Sequence, residues 1–249
     1  MVVLIIQARL GSTRLAGKVL LPIAGRPMLS YQIERLKRCR LVDRIVVATT
    51  TQPADKAIVA FCESEGIACT RGSEHDVLSR YAEAAHAFDA DVIVRVTSDC
   101  PLLDSQLVDD AVAAFSAGAG VDYVSNMMHP TWPYGMAVEV TSRIALEQAY
   151  AEARDPAERE HVTPFIYWRP ERYRLKSLTM QPDLSAHRWT VDTPEDFDLV
   201  SRILAVLYTR NPRFEMQDVL GLLEEHPDWP SINRHVTQKA VAPTSKETR

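Results

Sequence analysis

Long apolar runs are missing from this 249-residue chain. The earliest, residues 2–6, is far shorter than the roughly 20 residues a bilayer-spanning helix needs, and no basic segment precedes it as a secretory signal would require. Neither membrane insertion nor export is expected. Cysteine is scarce as well: Cys39, Cys62, Cys69 and Cys100 form no CxxC, and no histidine pair stands near them at zinc-ligand spacing. They read as reduced thiols behaving as small hydrophobes, which makes the cytoplasm the expected compartment. Positive charge is not in excess, with 28 Lys and Arg against 33 Asp and Glu for a net −5. That balance argues against a nucleic-acid binder with a broad basic surface, so any anion site must be local. The glycine fingerprints GxGxxG and GxxxxGKS/T are absent, which weakens dinucleotide and P-loop readings. With no internal repeat and no linker between its halves, the chain is expected to form a single domain over residues 1–235, with the polar stretch 236–249 as a flexible tail.

What is present is an ordinary globular balance, 46% hydrophobic and 24% charged residues, sufficient to bury a core. β-rich apolar runs at 2–6, 45–49 and 92–96 alternate with helical stretches at 28–38, 55–65 and 76–88, and a short extended piece falls at 68–70. Pro27 opens the first helix and Gly66 stops the second, while Asp104 or Ser105 caps a helix running to about Ala117. This alternation predicts an α/β fold with a mostly parallel sheet covered on both faces. The second half is less regular. Short strands are expected at 123–125 and 138–141, a helix at 142–153, extended runs at 173–180 and 188–191, and a helix at 194–207. Between the first two strands, MMHPTWPYG reads as a long loop over a site or an oligomer contact, with Trp132, Tyr134 and Gly135 as its lid or contact residues.

The most informative segment is QARLGSTRLAGK, residues 7–18, directly after the first strand. Arg9, Arg14, Lys18 and Arg26 are cationic and the first acid in the chain is Glu34. Gly11 and Gly17 relax the backbone while Ser12 and Thr13 supply hydroxyls, so amides and guanidinium forks can converge on phosphate oxygens. Asp99 stands just past the carboxyl end of a buried strand, the edge at which open α/β sheets bind ligands. Asp104, five residues on, is more simply an N-cap. Asp192 ends a second extended run, and Thr193, Glu195 and Asp196 already serve the following helix start, which leaves Asp192 without a capping task. Carboxylates from two distant strand ends can hold one Mg²⁺ whose other positions go to water and phosphate, or they can be unrelated turn residues.

Those residues carry a resemblance. IIQARLGSTRLAGK followed by IAGRPML resembles the opening of the sugar-acid cytidylyltransferases, above all the 3-deoxy-manno-octulosonate (KDO) enzymes with their ARxxSxRLPGKPL pattern. VIVRVTSDCPLL is similar to their QGDEPLI segment, and VDTPEDF to their DTPEDL. RGSEHDVLSRY, REHVTPFIY and RWTVDTPEDF together resemble the spore-coat polysaccharide biosynthesis SpsF group of that superfamily, over roughly residues 2–205. The resemblance implies a glycosyltransferase-A-like nucleotidyltransferase fold in which a sugar hydroxyl attacks the α-phosphate of CTP and releases pyrophosphate. Ala8, Arg9, Gly11, Ser12 and Thr13 would meet the nucleotide, Arg14 and Lys18 its triphosphate, and Asp99 and Asp192 the Mg²⁺. It further implies a homodimer, with residues 123–185 on the sugar or dimer side. Asp76 and Arg80 would contact nucleotide or sugar, or else form an i,i+4 ion pair on a helix surface; His161, between Glu160 and Val162, would lie toward the acceptor. Cys100 stands where the KDO enzymes have Glu, and DVLSR replaces their sugar loop, so KDO is expected to be a poor acceptor. Rival readings are a nucleotide-sugar-dependent glycosyltransferase and a non-catalytic nucleotide-binding scaffold.

Overall fold

The β-branched runs of the first hundred residues become the parallel half of one sheet, because strands covered on both faces need no polar alternation. The computed structural model describes residues 1–118, 120–238, 241, 242 and 244. Its first half runs β1 (Val2–Gln7), a small hairpin of β2 (Pro22–Ile23) and β3 (Arg26–Pro27), α1 (Met28–Leu36), β4 (Arg44–Thr50), α2 (Lys56–Glu65), β5 (Ala68–Gly72), α3 (Val77–Ala87) and β6 (Val92–Thr97). There follow α4 (Ser105–Ala117), β7 (Tyr123–Ser125), β8 (Glu139–Ser142), α5 (Arg143–Glu152), α6 (Pro156–His161), α7 (Pro164–Tyr167), β9 (Leu175–Ser177), α8 (Pro194–Arg210) and α9 (Met216–Glu225).

Seven strands form the main sheet in the order β5-β4-β1-β6-β8-β7-β9. β5, β4, β1 and β6 are parallel neighbours, β8 runs antiparallel to β6 and β7, and β9 is parallel to β7. The order reverses between β1 and β6, so the loops that leave their carboxyl ends diverge and open a crevice there. Leu4, Ile6, Val94 and Val96 face a core built with α1, α4, α8 and α9, through residues such as Leu29, Leu107, Ile203 and Val219. Val3, Ile5 and Ile93 face a second core with Tyr81 of α3, Leu146 of α5 and Phe165 of α7. No helix of the described residues is long and apolar enough to cross a membrane.

One expectation is corrected by tertiary packing, and two stretches take forms that the sequence left open. Residues 188–191 join no ladder beyond one bridge between Tyr134 and Arg188, so this run is an extended strap rather than a strand. Residues 156–168 divide into α6 and α7, since Val162 takes a positive φ of 75° ahead of Pro164. Asp104 does occupy the N-cap position of α4, but its side chain caps nothing. Its carboxylate instead pairs with the buried Arg35 of α1 and accepts the Met216 amide of α9 at 2.7 Å. The β2–β3 hairpin and α9 were not anticipated; the hairpin turns through Ala24 and Gly25, both at positive φ. Of the expected tail 236–249, residues 239, 240, 243 and 245–249 lie outside the described residues.

Candidate active site

The loop after β1 is tied down from beneath. The Ala8 amide donates to the Ala48 carbonyl at 3.2 Å, and the Leu10 amide to Asp55 Oδ1 at 2.8 Å. The amides of Ser12 and Gly17 both donate to the Leu10 carbonyl, at 2.8 and 3.1 Å, curling the loop on itself, with Gly17 supplying the left-handed φ of 65° that the turn requires. Ala8 therefore shapes the loop and has no amide left for a ligand. The amides of Gly11, Thr13 and Arg14 have no partner among the described residues.

At the crevice four of the expected residues meet. The Lys18 ammonium, 9% exposed, lies 3.1 Å from Asp99 Oδ2, 2.9 Å from Asp192 Oδ1 and 2.7 Å from the Val191 carbonyl. Arg14 reaches the same Asp192 oxygen at 3.0 Å while remaining 40% exposed. Burial pulls the Lys18 pKa down, but the carboxylates of Asp99 and Asp192 outweigh it and leave the ammonium above its ordinary value, charged at neutral pH. For Asp99, burial pushes upward, and Lys18 with the Thr97 hydroxyl outweighs that and holds the carboxyl below its usual range.

A further layer holds Asp192. Arg188 donates to Asp192 Oδ2 at 3.1 Å and grips Asp196 with two bonds of 2.9 Å. Asp196, fully buried, also accepts the amides of Asp192 and Thr193 and the Asn233 side chain. The strap 188–191 is bonded in turn to the MMHPTWPYG loop: the Trp189 and Thr190 amides donate to the Tyr134 carbonyl, at 2.6 and 3.0 Å, and the Tyr134 amide to the His187 carbonyl at 2.8 Å. Gly135, at φ 111°, leaves no room for a Cβ, which would sit 2.4 Å from the Thr190 nitrogen. This loop is thus strapped to the site rather than free above it. Burial, with Cys100, Asp99 and Asp192 nearby, pushes the Tyr134 phenol up to about 12, so it is neutral there.

The remaining expected residues separate. Arg9 is 41% exposed and 3.8 Å from Glu74, while Arg26 turns away to pair with Glu34 at 2.7 Å. Asp76 caps α3 through the Ser79 amide at 2.9 Å and pairs with Arg159 of α6, so the i,i+4 pair with Arg80 does not form. Arg80 is buried and donates to the Ala48 carbonyl at 3.1 Å, the acceptor that also fixes Ala8 beneath the β1 loop. His161 ends α6, half-buried, and burial pushes its pKa down against the opposing pull of Glu160. Beside it is a cluster that sequence reasoning missed. Arg95 pairs with Glu139 and donates to Gln7 Oε1 at 3.0 Å, and the hydroxyls of Tyr123 and Thr163 donate to Glu139. The signal was one arginine inside the apolar VIVRV run, which no strand buries without a partner. Arg188 and Asp196 carried no comparable signal, since Arg188 opens an ordinary extended run and Asp196 reads as a helix-start residue.

Oxygen donors dominate this centre. Asp99 Oδ2, Asp192 Oδ1 and the Val191 carbonyl converge on one cation, a donor set that suits a hard divalent ion such as Mg²⁺. Among the described residues no cluster of three or more His, Cys, Asp or Glu is placed to hold a metal ion.

The cation-bearing loop and the paired carboxylates lie at the switch point of an open α/β sheet, and the fold is that of the nucleotidyltransferases. A CMP-2-keto-3-deoxy-manno-octonic acid synthetase complexed with CTP shares it, with a TM-score of 0.65 at 20% identity over 82% of this chain and 98% of that one. Residues 3–217 match the family described as Cytidylyltransferase, and the chain belongs to that family. It is 32% identical over 235 residues to the spore coat polysaccharide biosynthesis protein SpsF of Bacillus subtilis, covering 91% of this chain and 95% of that protein. A cytidylyltransferase structure from Leptospira borgpetersenii superposes with a TM-score of 0.87 at 32% identity, covering 96% of this chain and 99% of that one.

Proposed function

We propose that this protein transfers CMP from CTP to a hydroxyl of a sugar, of the sugar-acid class, releasing pyrophosphate for the assembly of a surface polysaccharide. The observation that carries this reading is the convergence of Lys18, Arg14, Asp99 and Asp192 at the edge where β1 and β6 part. The acceptor oxygen forms a bond to the α-phosphorus as the bond to the bridging oxygen of the pyrophosphate breaks, and the hydroxyl proton is lost to solvent. Such a transfer asks for positioning and charge neutralisation more than covalent work. Arg14, Lys18 and the unpartnered amides of Gly11, Thr13 and Arg14 bind triphosphate oxygens. Arg80 supports the nucleotide end from beneath Ala48, and His161 faces the acceptor end. Asp99 and Asp192 would hold Mg²⁺, which supplies Lewis-acid neutralisation of phosphate charge. The name of the Bacillus relative supports the polysaccharide role.

The test is a pyrophosphate-release screen of four nucleoside triphosphates against sugar acids, neutral sugars and sugar phosphates. CTP is expected to exceed the others by more than about tenfold in kcat/KM, since a buried site that pairs one base edge strands its polar groups on another. KDO is expected to be a poor acceptor. Asp99→Asn is expected to fold and to lose turnover by about two orders of magnitude or more. Preference for UTP or GTP with a sugar phosphate, or release of nucleoside diphosphate from a nucleotide-sugar, would overturn the assignment.

A further inference from the structure

We propose that the Lys18 ammonium is a resident stand-in for the divalent cation, filling its position between Asp99 and Asp192 while nucleotide is absent and leaving when a triphosphate arrives. The inference rests on the reading that these two carboxylates hold the metal.

Three features of the geometry carry it. An ammonium has three N–H groups, and all three of Lys18 are spent, on Asp99 Oδ2 at 3.1 Å, Asp192 Oδ1 at 2.9 Å and the Val191 carbonyl at 2.7 Å. The other oxygen of each carboxylate is held by the protein: Asp99 Oδ1 by the Thr97 hydroxyl and Asp192 Oδ2 by Arg188 at 3.1 Å. Both carboxylates are therefore aimed by the protein's own groups, and their inward oxygens meet at the point where Nζ sits. A Mg²⁺ drawing those oxygens to about 2.1 Å cannot share that point with an ammonium.

Consequences for binding order follow. A divalent ion entering alone must expel a buried cation from its three acceptors, with nothing offered to that cation in exchange. A triphosphate offers it new oxygens, within reach of a flexible four-carbon stem that leaves the chain just after Gly17 at φ 65°. Arg14, on the same Asp192 oxygen but 40% exposed, is released by the same exchange. Metal and triphosphate thereby bind with positive, reciprocal coupling, although their charges already attract. Lys18 also spares the protein two adjacent unpaired carboxylates.

Mn²⁺ titration calorimetry on nucleotide-free protein tests this, comparing wild type, Lys18→Met and the double variant Lys18→Met/Asp192→Asn. Mn²⁺ is expected to bind Lys18→Met about tenfold or more tightly than wild type, because no ammonium has to be displaced from its three acceptors, and the double variant is expected to lose the gain. Wild-type crystals soaked in Mn²⁺ give a second readout that does not depend on a variant folding. Anomalous density between Asp99 and Asp192 is expected with CTP and not without it. Equal affinity of wild type and Lys18→Met, or nucleotide-free density there with Lys18 still bonded to both carboxylates, overturns the stand-in while the metal reading survives. Absence of that density even with CTP overturns the metal reading and the stand-in together.

Discussion

Asp196 shows how the position of one carboxylate, Asp192, is set by another through a shared arginine. Its two oxygens grip Arg188 with bonds of 2.9 Å, and Arg188 holds the outer oxygen of Asp192. Asp196→Asn removes the charge from a fully buried site and leaves the Arg188 guanidinium with a poorer partner. Stability is expected to fall by about 1–3 kcal/mol in urea unfolding, since two charge-assisted bonds are weakened while Arg188 keeps its pairing with Asp192. Turnover is expected to fall about 10–100-fold with little change in KM for CTP, because misplaced oxygens cost most in the transition state. His161 makes a pH prediction. Burial holds its folded pKa below the ordinary 6.5, so as pH falls the unfolded chain takes up the proton first. Its contribution is fully present above the unfolded value and is lost as pH falls from there toward the folded one. In thermal unfolding, wild type is expected to lose Tm relative to His161→Gln as pH falls through and below the ordinary histidine value of 6.5; parallel Tm profiles would refute that burial.

Among the elements, Arg35 joins three helices. From α1 it donates to the carbonyls of Leu102, Leu103 and Phe214, at 3.2, 3.2 and 2.8 Å, and it pairs with Asp104 at the start of α4. Asp104 in turn accepts the first amide of α9. This explains why Asp104 does not cap its own helix: a carboxylate beside a buried guanidinium gains more from the charge than from one amide. Arg35→Met is expected to destabilise by about 3–5 kcal/mol by chemical denaturation, leaving three carbonyls and one oxygen of the buried Asp104 without their partner. Arg35→Met/Asp104→Leu is expected to recover part of that loss, because the uncompensated carboxylate goes with it. If the double variant is the sum of the two singles, the pair is not the coupling element between α1, α4 and α9.

Across the whole molecule, the site is a junction of three distant stretches, 8–18, 98–103 and 188–193, brought together at one sheet edge. CTP binding is expected to slow hydrogen exchange in all three together, since each lends groups to the same ligand; protection confined to one stretch would mean nucleotide binds elsewhere. Much of this arrangement was readable in the chain itself. Apolar periodicity marks the parallel strands and most helices, because burial on both faces imposes a local pattern that needs no knowledge of neighbours. Asp99 and Asp192 stood out for the same local reason, as acids ending apolar runs. The acid-free opening block was legible as cationic, yet its cations are not free. Arg9 finds Glu74, Arg14 finds Asp192, Lys18 finds Asp99 and Asp192, and Arg26 finds Glu34. Lys18 is 81 residues from Asp99 and 174 from Asp192. Charge pairing depends on distance through space, which the topology of the sheet decides, so the Lys18 centre, the Arg188–Asp196 support and the Arg95–Glu139 cluster exist only once the chain is folded.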